Sequence, residues 1–197
     1  MSPPHKTTPR LHTTLLRILG TLALATTLPT GCTTPAETRP TEQVIADAME
    51  QRGKFWAELD DIQNLLGGTW EKHDDPLANS CPGSNRETYK YSGDRIRSEA
   101  LPDPIAGAEQ LTTYFSQLGY TVTPQSFAPN HHAIIARDAN GWNITVTTYR
   151  LKQDMLTTIA ADTGCFRGNS GLISDYQSRL IREERARTSP SPSPSRY

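Results

Sequence analysis

The chain has 197 residues, 20 of them Lys or Arg against 21 Asp or Glu, for a formal net charge of −1, and 35% of it is hydrophobic. That composition suits one folded domain rather than two, and it lacks the basic excess on which nucleic-acid binding draws. Its three cysteines are an odd number, which leaves one thiol over in any chain that enters an oxidising compartment.

The chain opens on a basic stretch with Lys6, Arg10 and Arg17 and meets no acidic residue before Glu37. Leu15 to Leu28 is mostly Leu, Ile and Ala, interrupted by Arg17 and several threonines. A membrane span needs about 20 apolar residues, whereas the apolar centre of a secretory signal needs about 7–15. The run therefore reads as a signal peptide over residues 1–31, with Thr30 and Gly31 as the small residues of a cleavage zone. Cys32 follows directly, and the arrangement resembles the bacterial lipobox. The place usually held by Leu is taken by Pro29, with Leu28 one step further out. The resemblance implies that Cys32 becomes the first residue of the mature chain and carries a thioether-linked diacylglycerol. Two or three buried acyl chains, at about 0.8 kcal/mol per CH₂, then hold the protein to the outer face of the cell membrane. Lipidation of Cys32 also removes the odd thiol. Residues 32–40 are Thr/Pro-rich and polar, and read as an anchor and an extended tether.

A single α+β domain is expected over residues 41–175. Ile45, Ala48, Met49, Phe55, Trp56, Leu59, Ile62 and Leu66 recur at steps of three and four, which predicts a helix over Thr41 to Leu66 with one apolar face. Gly67-Gly68 supplies its stop. Trp70 begins a short segment, and His73 to Glu87 ("HDDPLANSCPGSNRE") reads as loop. "TYKYSGDRIRSEAL" is β-prone, with a turn expected at Ser92-Gly93-Asp94. Asp103 as N-cap, Pro104 at the first helical position and Gly119 past the end bracket a second helix. Beyond it the chain turns to strands. Pro124 marks "YTVTPQSF" as an edge strand or a bulge, and "HHAIIARD" follows. Asn140-Gly141 is a hairpin signal. "WNITVTTYR" alternates, with Trp142, Ile144, Val146 and Thr148 on one face. "LKQD" reads as a turn before a last strand over Met155 to Asp162.

Most of the acidic excess falls on the body from Cys32 to Asp175, and the stretch from Tyr176 is basic. Residues 176–197 read as a charged, weakly amphipathic segment, "YQSRLIREERART", and a Ser/Pro-rich disordered tail. Arg179, Arg182, Arg185 and Arg187 are candidates for contact with anionic lipid or wall polymer, against the plainer reading of a solubilising tail.

Cys81 and Cys165 are left as a pair once Cys32 is lipidated, and in an exported domain such a pair reads as a disulfide. The rival is a metal site joining them to His73, His131 or His132, but no ligand pair has the usual C-x₂-C or H-x₃-H spacing. No metal and no cofactor are expected. His73 stands beside Asp74 and Asp75, yet nothing in the sequence adds a third element to that cluster. His131 and His132, adjacent in a strand, point to opposite faces.

A lipobox cysteine, a leading helix, "GGTWE" at Trp70, "CPGS" at Cys81, a helix, "LGYTV", a strand run and "GCF" at Cys165 together resemble actinobacterial cell-envelope lipoproteins of the LppA-like family of mycobacteria and relatives. The resemblance runs from Thr41 to Phe166. It implies a lipid-anchored extracytoplasmic protein and carries no catalytic residue onto this chain. The sequence holds no G-x-S-x-G, H-E-x-x-H, S-x-x-K or phosphate-binding glycine loop. The expectation is thus a non-enzymatic binding or envelope-maintenance module, with an envelope protein, lipid or wall polymer as partner and no nucleic acid. The alternative is a small hydrolase-like envelope enzyme. A deep pocket lined by two or more titratable groups would favour that alternative.

Overall fold

The computed structural model describes residues 38–128, 131–151 and 154–188. Cys32, the signal segment before it and the Ser/Pro tail from Ser189 lie outside the described residues, as does the centre of the expected "LKQD" turn. Three helices and two antiparallel sheets make an α+β fold. In chain order they are α1 (Thr41–Leu66), β1 (Trp70–Asp74), β2 (Asn79–Ser80), β3 (Thr88–Lys90), β4 (Ser92–Arg97), α2 (Pro104–Gln117), β5 (Thr121–Ala128), β6 (His131–Arg137), β7 (Asn143–Leu151), β8 (Asp154–Asp162), β9 (Phe166–Arg167) and α3 (Ser170–Thr188). The large sheet has the order β1-β4-β8-β7-β6-β5, and the small one β2-β3-β9.

Alternation along the strands gives the large sheet one apolar face. Ile134 and Ala136 on β6 pair with Val146 and Ile144 on β7, which pair in turn with Ile159 and Ala161 on β8. All six are buried. α1 covers this face with Phe55, Leu59 and Ile62, and α2 adds Leu111 and Phe115. Burying each such side chain stabilises the fold by about 1.5–3 kcal/mol. α2 starts as its sequence requires. The Asp103 carboxylate accepts from the amides of Ile105 and Ala106, each at 3.0 Å, satisfying two of the donors that a helix start leaves free. Pro124 lies on β5, at the edge of the sheet where a missing N–H is tolerated. A register shift between Ser126 and Ala128 bends the end of that strand.

The expected turn at Ser92–Asp94 is absent, because β4 runs straight through it. Gly93 has an ordinary negative φ, so its role is space rather than turning. A Cβ there would stand 2.9 Å from Leu59 Cδ1 and 2.8 Å from Asp74 Oδ1. The glycine lets α1 lie directly on β4. Two residues on, Arg95 is buried at 1% exposure and pairs with Asp74 of β1. Asp60 of α1 lies 3.5 Å from the same guanidinium and 2.6 Å from Lys72. Burial lowers the pKa of Arg95, and the Asp60 carboxylate opposes that shift. At the far end of α1, Arg97 Nε donates to the Gly67 carbonyl at 3.0 Å, placing a cation at the negative end of the helix.

At Tyr91 the chain leaves the small sheet for the large one. The Tyr91 hydroxyl donates to the Ala48 carbonyl of α1 at 3.0 Å and accepts from Gln177 Nε2 of α3 at 2.7 Å. Gln177 Oε1 accepts from the Ala78 amide at 2.8 Å. The boundary expected between residues 175 and 176 therefore falls inside α3, and Gln177, beyond it, is fully buried in the body. A single glutamine in a charged stretch carries no hydrophobic signal, which is why the periodicity of that segment looks weak. Cys81, at the end of β2, is disulfide-bonded to Cys165, between β8 and β9, with Cα atoms 6.2 Å apart. The contacts of this core and the bridge all fall within the unit that begins at Ala36, so a chain starting there keeps them.

Two expected outcomes test this account. Gln177→Leu leaves the Ala78 amide and one side of the Tyr91 hydroxyl unpaired, and should lower the unfolding free energy in urea by about 2–4 kcal/mol. Replacing Cys81 and Cys165 by Ser opens a loop with a separation of 84 residues and should cost about 4–5 kcal/mol in the same assay.

Candidate functional site

Two adjoining hollows form one groove along α1. The first, of about 470 Å³, lies among Arg39, Asp47, Glu50, Gln51, Tyr89 and Phe166. The second, of about 430 Å³, is lined by Gln51, Glu58, Tyr120, Asp138, Asn140 and Trp142 and again reaches Phe166. Gln51 and Phe166 are common to both. From Asp47 to Glu58 the helix rises about 16 Å, so the groove is elongated.

Its aromatic wall is assembled from distant pieces of chain. Trp142 comes from the turn between β6 and β7. That turn is wider than the two-residue hairpin which Asn140-Gly141 predicts. Asp138 and Trp142 close it, the Asp138 amide donating to the Trp142 carbonyl at 3.1 Å. Only Gly141 has a positive φ, of 88°, as in a three-residue hairpin loop that ends in a left-handed residue. The Asp138 carboxylate organises the turn by accepting from the Asn140 amide (2.9 Å), the Asn140 side chain (2.9 Å) and the Trp142 amide (2.7 Å). The turn then presses on Gly164, where any Cβ would collide with the Asn140 carbonyl. This contact brings Trp142 beside Phe166, the neighbour of the bridged Cys165.

Each half-buried ring of the wall rests on a buried ring of the core. Phe166 lies on Tyr89 with centroids 5.5 Å apart, Trp142 meets Phe55 at 5.6 Å edge to face, and Tyr120 meets Phe115 at 5.3 Å. Such pairs contribute about 0.5–1.5 kcal/mol beyond burial, and they fix the orientation of the outer ring.

The charges of the groove are mostly matched within it. Arg39 is 2.7 Å from Asp47, and Lys54 is 2.6 Å from Glu50. Glu58 is the exception. Burial pushes its carboxyl pKa upward, the Asp61 and Asp138 charges add to the shift, and a hydrogen bond from Tyr114 opposes it. Burial also raises the phenols of Tyr114 and Tyr120, and the Glu58 charge reinforces both shifts. Glu58 Oε1 is enclosed without a hydrogen-bond partner, in keeping with burial as the main cause of the shift.

The residues singled out from the sequence are scattered. Cys81 and Cys165 meet, and their bridge leaves no thiolate for a metal. Among the described residues no group of three or more His, Cys, Asp or Glu is placed to hold a metal ion. His73 and Asp74 alternate on β1, so His73 is exposed while Asp74 turns inward to Arg95. Asp75 instead caps its own loop, accepting from the Leu77 amide and the Asn79 side chain. Arg179, Arg182, Arg185 and Arg187 are exposed on α3. Arg179 lies over the Tyr176 ring at 5.3 Å, and Arg187 is 3.9 Å from Glu183. Arg179 and Arg182 line a shallow cleft with Ile45 and Leu172. Among the described residues no helix is long and apolar enough to cross a membrane. In the sequence Trp142 and the Asn-Gly turn read as fold, and Tyr120 and Phe166 fall in the "LGYTV" and "GCF" patterns; none of the groove residues reads as a site. No family model matches the chain, and no curated protein matches it.

Glu58 offers a pH test. Its pKa is higher in the folded state than in the unfolded chain, where a glutamate titrates near 4.5. The folded state thus binds more protons between those two values, and stability falls as pH rises through that window. Glu58→Gln keeps the size and removes the ionisation. The variant should melt at a higher temperature than the parent at pH 7, and the two curves should converge below pH 4. Differential scanning calorimetry across pH checks this; a variant melting no higher than its parent at pH 7 contradicts it.

Proposed function

We propose that this protein is a lipid-anchored extracytoplasmic binding module that takes its ligand along the α1 groove. In this reading the chain is cleaved before Cys32 and held at the outer face of the cell membrane by acyl chains on that residue. Support for the anchor comes from the basic start, the short apolar run and the small residues before Cys32. The cysteine count adds to it: of three cysteines, two are joined to each other, and Cys32 is the one left over. The observation that carries the binding role is the groove wall, in which half-buried rings pack on core rings beside the Arg39–Asp47 and Lys54–Glu50 pairs. Preorganised surfaces of this kind lower the ordering cost of binding. Asp138, with its oxygens engaged by three turn donors, is a structural acid here.

The anchor is tested by metabolic labelling in a bacterial host. The parent should incorporate labelled fatty acid, enter the detergent phase and begin at Cys32 in its mature form. Cys32→Ala should lose the label and the detergent partition. If the variant retains both, the anchoring reading is wrong.

A further inference from the structure

The shape and chemistry of the groove also narrow its occupant. Its two hollows follow one another along α1 and share Gln51 and Phe166, so a bound chain can lie along it. Phe166, Trp142 and Tyr120 line it, each in contact with a core ring behind it. Between them stand planar polar groups: the Gln51 and Asn140 amides and the Glu58 carboxyl. The strong charges nearby are already spent on one another, Arg39 on Asp47 and Lys54 on Glu50. A polyanion would meet Glu50, Glu58 and Asp138. A polycation would meet Arg39, Lys54 and Arg167; of the carboxylates, Asp47 and Glu50 are paired with cations and Asp138 is engaged by its own turn, which leaves Glu58.

What fits is a ligand with apolar faces, a girdle of hydroxyl donors and acceptors, no net charge and a linear form. A sugar ring has those properties: its C–H face lies on an aromatic ring, and its hydroxyls bond planar amides and carboxyls at the rim. We propose that the α1 groove binds a neutral polysaccharide strand, with Phe166, Trp142 and Tyr120 as stacking platforms and Gln51, Asn140 and Glu58 as hydroxyl partners. This deepens the proposed function and rests on the groove being the ligand site; it does not rest on lipidation of Cys32.

The unit Ala36–Tyr197, oxidised at its disulfide, is titrated with four neutral tetrasaccharides: N-acetylchitotetraose, cellotetraose, maltotetraose and mannotetraose. Tetralysine and tetragalacturonate serve as charged comparisons. Indole N–H resonances report the site directly. Trp142 should shift with at least one neutral tetrasaccharide, and Trp70, whose indole donates to Gly67 at 2.9 Å away from the groove, should not. Trp142→Leu keeps an apolar cover over Phe55 and removes the platform. Gln51→Ala leaves every core ring in place and guards against a folding artefact. Each should weaken the neutral ligand about tenfold, near 1.4 kcal/mol, as followed by calorimetry. No response to any neutral tetrasaccharide, tighter binding of either charged oligomer, or affinity unchanged in both variants would overturn the proposal. Because the titrated unit lacks Cys32, a negative result here leaves the anchoring reading to its own test.

Discussion

The closeness of α1 to the sheet at Gly93 is the constraint on which the other features of the fold rest. With no side chain at that point, Leu59 and Phe55 settle directly on β4, and the helix lies across the apolar face rather than being held off it. A helix seated this low puts its charged flank against the strands as well. Asp60 then meets Arg95 and Lys72. The buried guanidinium is tolerated because Asp74 and Asp60 both neutralise it, since a buried charge left unpaired costs several kcal/mol. The depth and rotation of α1 also decide where Gln51 and Glu58 stand, and so where the groove runs.

A second set of restraints ties the small sheet and α3 into the same body. β3 passes into β4 at Tyr91, and β8 leads on to β9 across residues 163–165, so two neighbouring strands leave the large sheet side by side. Tyr91 and Gln177 hold one corner by hydrogen bonds to α1 and to the β1–β2 connection. The Cys81–Cys165 bridge holds the other. Buried polar groups stabilise only when every donor and acceptor is engaged, and here the Gln177 amide uses both its oxygen and its nitrogen. The bridge has a local effect besides its effect on the unfolded chain. It adjoins Phe166 and Gly164, the two residues that place the floor and one wall of the groove.

Core and site are therefore continuous in this protein. The rings that face the groove, Phe166, Trp142 and Tyr120, are the outer members of pairs whose inner members, Tyr89, Phe55 and Phe115, belong to the hydrophobic core. Stability and binding geometry draw on the same contacts. The price is visible at Glu58, whose carboxyl is raised by burial in the same wall, a local cost of the kind found where a surface is shaped for a ligand rather than for stability alone.

The sequence by itself determined the elements whose signals are local. Periodicity placed α1 over Thr41–Leu66. Asp103, Pro104 and Gly119 bracketed α2, and alternation oriented Ile144, Val146 and Thr148 on β7. Those signals are legible because a helix start or a strand face depends on residues a few positions apart. Tertiary structure alone decided the meaning of Gly93, which looks like a turn former and acts as a seat for α1. It also turned Asp74 from a loop acid into the partner of a buried arginine, and made a charged C-terminal stretch part of the domain through one glutamine. The groove belongs wholly to this second class. Gln51, Glu58, Tyr120, Asp138, Trp142 and Phe166 are spread over most of the folded chain, and none reads as a binding residue from its own neighbourhood. Their shared surface exists only because packing over long sequence separations brings them together, which no short-range pattern encodes.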